Sequence, residues 1–178
     1  MSRTVIGVVL VALFSLGLVA DGGAEWSSEQ YKCSFRLPDA QWRNTTDGKL
    51  GILKDGVVEF MSLSDYSVVS FVPFVFTTDE QWKTETTRKT VETTQSMVRA
   101  LSDRVWLIRE EPGYQVNGVP GYKREIGYQI GGIDYTAIIV VLVKNNIHYR
   151  LLFTSLERNY STSFANFRRI IGSFKIKG

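Results

Sequence analysis

Beyond residue 30 the chain is written mostly in short stretches where large apolar and polar residues alternate, a period of two that predicts β-strands. Tyr31 to Leu37 (YKCSFRL) alternates in this way and then meets Pro38, which predicts a first strand closing at a turn. Trp42 follows in a predicted loop that contains Asp47-Gly48. Val57 to Leu63 predicts a second strand, with Asp55-Gly56 as a tight turn from Ile52-Leu53. Tyr66 to Phe76 predicts a third; its Pro73 cannot donate to a ladder, which places an edge or a bulge there.

The period then lengthens. Thr77 and Thr78 are followed three residues later by Glu80 and Gln81, either pair a capping box, and residues 79–101 hold no Gly or Pro. One long helix is expected, with Val91, Thr94, Val98 and Leu101 on one face. Its threonines (Thr84, Thr86, Thr87, Thr90, Thr93, Thr94) lower its intrinsic propensity, so it has to form by packing on a sheet.

Strands resume at Val105–Ile108, and Glu110-Glu111-Pro112-Gly113 reads as a turn. Tyr122–Ile130 and Ile133–Val143 are joined by Gly131-Gly132, and Asn145-Asn146 turns the chain into His148–Phe153. This is an antiparallel meander whose middle strand, AIIVVLV from Ala137 to Val143, is apolar throughout and therefore covered on both faces. A last helix is expected from a cap at Ser161 or Thr162, with Phe164, Phe167 and Ile171 inward and Gly172 stopping it. Phe174 and Ile176 continue as a short extended tail. The expected fold class is α+β: a mainly antiparallel sheet covered by a long central helix and a C-terminal helix, an α/β/α sandwich.

The first residues follow a different rule. Arg3, the unbroken apolar run Val5–Ala20 and the small residues Gly22, Gly23 and Ala24 have the layout of a secretory signal, with cleavage expected before Glu25. The organisation read here is a signal peptide over 1–24 and a single domain over 25–178. The run is sixteen residues, short of the ~20 that span a bilayer as a helix, and an uncleaved N-terminal anchor is the alternative. Cys33 lies too far past the run to be a lipid-bearing cysteine. No second apolar stretch is long enough to span a membrane.

Charge and chemistry narrow the picture mostly by exclusion. The net charge is +3, and removal of 1–24 takes one charge of each sign, Arg3 and Asp21. No run of like charges points to nucleic acid; the densest basic cluster, Arg168-Arg169 with Lys175 and Lys177, reads as a solvated face or a contact for an acidic partner. One cysteine cannot form an internal disulfide, and Cys33 reads as a small buried hydrophobe. The one histidine, His148, reads as a strand residue without a nucleophile elbow anywhere in the chain. Glu110 and Glu111, adjacent on a strand, point to opposite faces and do not make an acid/base pair. No zinc spacing, calcium loop or phosphate loop is present, so no catalytic, cofactor-binding or metal residue is assigned. Asn44-Thr45-Thr46 and Asn159-Tyr160-Ser161 fit the glycosylation acceptor pattern, which matters in a eukaryotic source.

Taken together, four stretches resemble the PsbP/Mog-type family of α/β/α sandwiches. They are Tyr31, Phe35, Leu37-Pro38 and Trp42; Asn117-Gly118-Val119-Pro120-Gly121-Tyr122; Tyr149-Arg150-Leu151; and Phe167-x-x-Ile170-Ile171-x-Ser173-Phe174. That family includes the photosystem II extrinsic protein, a nuclear binder of the Ran GTPase and exported bacterial proteins of the DcrB kind. The resemblance implies an accessory or binding role rather than catalysis. The expectation is an exported domain, periplasmic or extracellular, that contacts a protein or envelope component. It needs no cofactor, binds no nucleic acid and has no stable membrane span after signal cleavage. A carrier of a small apolar ligand, held between sheet and long helix, and a hydrolase with an unrecognised site are the alternatives.

Overall fold

The computed structural model describes residues 23–45, 58–75 and 84–177. Residues 1–22 of the leader, the Asp47-Gly48 and Asp55-Gly56 turns and the helix cap at Thr77–Gln81 lie outside them.

Seven antiparallel strands form the main sheet, in the order β3-β4-β5-β9-β8-β7-β6. They are β3 (Trp42–Asn44), β4 (Val58–Ser62), β5 (Val68–Val75), β6 (Arg104–Val116), β7 (Val119–Ile130), β8 (Ile133–Lys144) and β9 (Ile147–Leu156). A second sheet of three short strands has the order β1-β2-β10: β1 (Glu25–Ser28), β2 (Cys33–Arg36) and β10 (Lys175–Ile176). Helix α1 (Thr84–Ala100) packs on one face of the main sheet; α2 (Tyr160–Ser173) and the small sheet pack on the other.

Period-two alternation along β8 divides its side chains between two cores. Ile138, Val140 and Leu142 join Phe71, Tyr149, Leu151 and Phe153 under α2, where Cys33, Phe35, Phe167 and Phe174 meet them. Ala137, Ile139, Val141 and Val143 face the other way, against Tyr122 and Ile126 of β7 and Val91 and Val98 of α1. The expected two-sided central strand is therefore present, and every side chain from Ala137 to Val143 is buried. Three β-hairpins turn on pairs of residues with positive φ: Asn117-Gly118, Gly131-Gly132 and Asn145-Asn146, the backbone that type I′ turns require.

The threonine-rich α1 is held by packing on the sheet, and its hydroxyls find acceptors one turn back. Thr90, Thr93 and Thr94 donate to the carbonyls of Thr86, Lys89 and Thr90. Thr87 and Thr94 are then buried on the sheet with Val91 and Val98. Leu101 is a correction: the helix has ended there, and the side chain is exposed.

Four other expectations change. Trp42 begins β3 rather than sitting in a loop, because it pairs with Ser62 and its ring enters the core. Glu110–Gly113 is no turn; β6 runs through it on the sheet edge, and register shifts between Leu107 and Arg109 and between Pro112 and Tyr114 absorb the proline and the positive φ of Gly113. Helix α2 starts at Tyr160 after a 3₁₀ turn over Glu157–Asn159. Its N-cap is Asn159, whose side chain donates to Asp65 O rather than capping, so neither Ser161 nor Thr162 serves. Gly172 does not stop α2. The helix continues to Ser173, and Asn117 Nδ2 donates to the carbonyls of Gly172 and Phe174, which supplies partners for the last turn. Pro73 lies in β5 opposite Tyr149 of β9, past the last described β4 pair, Val58–Phe71.

Candidate functional site

The reactive residue types are engaged in the fold. Cys33 is fully buried, and burial pushes its thiol up to about 12. His148 is buried beneath α1 with Nδ1 3.3 Å from Thr90 Oγ1. Glu110 and Glu111 point to opposite faces, as their adjacency requires. Glu110 accepts Arg124 on the α1 side; Glu111 accepts Lys123 Nζ at 3.0 Å and Arg109 Nε at 2.9 Å on the α2 side. Tyr122 and Arg124 hydrogen bonds hold the Glu110 carboxyl below its ordinary range, against the opposing effect of burial. Arg124 also reaches Gln95 of α1 at 2.7 Å, and Arg150 reaches Thr94 at 3.0 Å, so these cations staple helix to sheet. Tyr160 donates to Glu125, and burial pushes its phenol well up. Among the described residues no group of three or more His, Cys, Asp and Glu side chains converges as a metal site.

The basic cluster divides in two. Arg168 and Arg169 are exposed on the outer side of α2, where with Ala165 they line a shallow open concavity. Lys177 is paired with Glu29 at 2.5 Å at the far end of the small sheet. The space between α1 and the sheet, where an apolar ligand would sit, is taken up by Val91 and Val98 against Ile139 and Val141.

What the strand pairing assembles at one end of the sheet is a different kind of surface. The β4–β5 turn, the β7–β8 turn, the α1–β6 junction and the 3₁₀ turn leading to α2 all lie there, as the pairs Met61–Val68, Ile130–Ile133, Arg104–Gln129 and Tyr135–Leu156 require. Among the described residues eight large apolar side chains are exposed. Five of them, Leu63, Tyr66, Leu101, Ile130 and Ile133, lie in or directly border these connections, and Met97 is one helical turn behind Leu101. Sequence reasoning missed this surface. Its members lie in three separate segments and share no local spacing.

The β4–β5 turn is held rigidly. Asp65 is buried; its Oδ1 accepts Ser67 N at 3.0 Å and Ser67 Oγ at 2.7 Å, and its Oδ2 accepts Ser163 Oγ at 2.8 Å. Its backbone carbonyl takes Asn159 Nδ2 at 3.0 Å. The next residue, Tyr66, has φ 58 and is 66% exposed. A left-handed backbone is costly for a bulky residue, of order 1–3 kcal/mol, and persists only where the surroundings determine it. Here the Asp65 network does so and keeps an aromatic ring in water. Around this end Arg43, Arg99, Arg104 and Arg158 are exposed. The neighbouring exposed carboxylates Asp103, Asp134 and Glu157 accept Gly131 N, Gln129 Nε2 and Thr136 Oγ1.

No family model and no curated protein sequence matches the chain. Solved structures do. Cyanobacterial PsbP (CyanoP) from Synechocystis sp. PCC 6803 superposes with a TM-score of 0.68 at 16% identity, covering 94% of this chain and 98% of that one. The Ran-binding protein Mog1p of Saccharomyces cerevisiae gives 0.60 at 8% identity, covering 88% and 96%. LpqN of Mycobacterium tuberculosis, involved in cell envelope biogenesis, gives 0.58 at 11% identity, covering 87% and 91%. The chain has the PsbP/Mog-type fold, an α+β sandwich of a mainly antiparallel sheet between a long helix and a C-terminal helix. At these identities the likeness is one of architecture, and function has to be read from the site.

Proposed function

We propose that this protein is an exported, non-catalytic accessory domain that binds a protein or envelope component through the loop-bearing end of its main sheet. The observation that carries this reading is the gathering of Leu63, Tyr66, Leu101, Ile130 and Ile133 in water at that end, with Tyr66 held there at positive φ. Exposed apolar side chains concentrated in one region mark interaction surfaces. Support for the class comes from the structural neighbours, one named for binding Ran and one for cell envelope biogenesis. Support for export comes from the leader and from the position of β1, which begins at Glu25, the residue after the expected cut.

Two measurements test it. Mature protein sequenced from its N-terminus should begin near Glu25; intact Met1 protein recovered from cytosol overturns the export reading. In envelope extract of the source, components captured by the wild-type chain should be lost with a Leu63→Ser, Tyr66→Ser variant and kept with Arg169→Ala. Equal capture by both variants overturns the assignment of the surface.

A further inference from the structure

We infer that the envelope component is the lipid bilayer itself: the loop-bearing end of the sheet rests on a membrane surface, with Tyr66, Leu63, Ile130 and Ile133 dipping into the headgroup boundary. This rests on the proposed binding role of that end and names its partner.

The first observation is where the chain joins the domain. Ala24 O accepts Leu37 N–H at 2.9 Å, and a Cβ built on Gly23 would fall 2.6 Å from Asp39 N. Two residues later Gln41 O accepts Leu63 N–H, at the β4–β5 turn. From Glu25, β1 runs antiparallel to β2, away from this end. The described chain therefore begins, at Gly23, beside the Leu37–Gln41 segment that leads to the β4–β5 turn, on the side where the exposed apolar residues are. The apolar run Val5–Ala20 lies in the sequence just before Gly23, so if it is held in a bilayer, as a signal in transit or as an uncleaved anchor, this end of the domain is the one held near the membrane.

The second observation is shape and chemistry. The apolar residues are spread over separate turns across the end of the sheet, from β4 to β7, rather than lining a groove. Such a spread suits a broad flat surface. Aliphatic side chains with an aromatic ring among them, ringed by long arginines, match the layering of a bilayer boundary, where apolar side chains dip in, Tyr sits at headgroup depth and Arg reaches back to phosphate. The three exposed carboxylates at this end offset all but one of the four arginines, so attachment should depend on apolar insertion more than on lipid charge.

The experiment uses the chain from Glu25, because both cores are built from residues between Cys33 and Phe174 and it carries them whole. It is sedimented with vesicles of phosphatidylcholine alone and with added phosphatidylglycerol. Binding to both is expected, with little release by salt. An Ile130→Ser, Ile133→Ser, Tyr66→Ser variant should bind about tenfold less or weaker still. Leu107→Ser, Ile108→Ser, which removes exposed apolar groups from the β6 edge instead, should bind as wild type. Folding of each variant is checked by its melt. Because Cys33 is buried, an Ile133→Cys substitution supplies an accessible thiol for an environment-sensitive fluorophore, whose emission should shift to the blue on vesicles; the same label at Asn117→Cys, at the opposite end, should not respond. No vesicle binding by wild type, or equal loss with the β6 variant, overturns the inference. Absence of vesicle binding together with variant-sensitive capture of an envelope protein overturns it while leaving the proposed function standing; absence of both removes both.

Discussion

The Asp65 carboxylate accepts the Ser163 hydroxyl at 2.8 Å, tying the β4–β5 turn to the first turn of α2 across 98 positions of sequence. Burial alone would raise the Asp65 pKa; hydrogen bonds from Ser67 and Ser163 outweigh it and hold the carboxyl below its ordinary value of 3.8. The folded pKa is thus the lower one. The stability it contributes is present above the unfolded pKa and is lost as pH falls through the folded value. Asp65→Ala should cost about 2–3 kcal/mol near neutral pH, since it leaves buried donors unpaired. The difference in stability from wild type should shrink on acidification below about pH 4. Denaturant melts of the two proteins across that range check it. A difference that does not change with pH would mean that the ionised carboxylate is not what pins the turn.

Alkaline pH should act through a different set. Burial pushes the phenols of Tyr128 and Tyr149 up to about 12, and the Cys33 thiol likewise. A raised folded pKa means stability that is complete below the unfolded value and lost as pH rises towards the folded one. Stability should hold to about pH 8.5 and fall progressively between there and about pH 12, first for the thiol and then for the phenols. Tyrosine absorbance followed beside circular dichroism should show these phenols ionising together with unfolding; ionisation of all eight tyrosines near 10 in a still-folded protein contradicts their burial.

Cys33 should behave as a packing residue. A thiol reagent at pH 8 should modify it at a negligible rate in the native protein and rapidly in denaturant. Cys33→Ser should lower stability by about 1–3 kcal/mol by placing a hydroxyl in the core.

The two faces of the central strand are tested by Val141, fully buried against the α1 side. Val141→Asp would bury a carboxylate without a partner and should largely prevent folding. A soluble protein with a cooperative melt is the contrary result.

On α2, Phe167 is buried with its ring 5.2 Å from that of Phe153, and Arg169 is exposed. Phe167→Ala should cost about 3–5 kcal/mol. Arg169→Ala should change stability by less than about 0.5 kcal/mol. Similar melts for the two would show that the helix is not docked through this face.

The sequence by itself determined the elements whose signal is local. Alternation marks β7, β8 and β9, the pairs Gly131-Gly132 and Asn145-Asn146 mark their turns, and the unbroken Ala137–Val143 run already says that β8 has a layer on each side. The spacing of Phe167 and Ile171 likewise marks the inward face of α2, although Phe164 is only partly buried and Ile170 is fully so. Wherever a local signal competed with a distant partner, the partner decided. Pro112-Gly113 has turn chemistry, yet pairing along β7 carries β6 through it with two register shifts. Gly172 has the chemistry of a helix stop, yet Asn117 from another hairpin supplies donors for the carbonyls and the helix runs on. The four-residue β1 and two-residue β10 are too short to show a period and exist because β2 lies between them. The candidate surface is the extreme case. In the linear pattern Leu63, Tyr66, Ile130 and Ile133 only bound predicted strands and Leu101 is expected on the packed face of the helix; only the order of strands in the sheet brings their turns to one end. Periodicity reports which way a side chain faces within its own element; which elements end side by side is set by pairings between residues far apart in the chain.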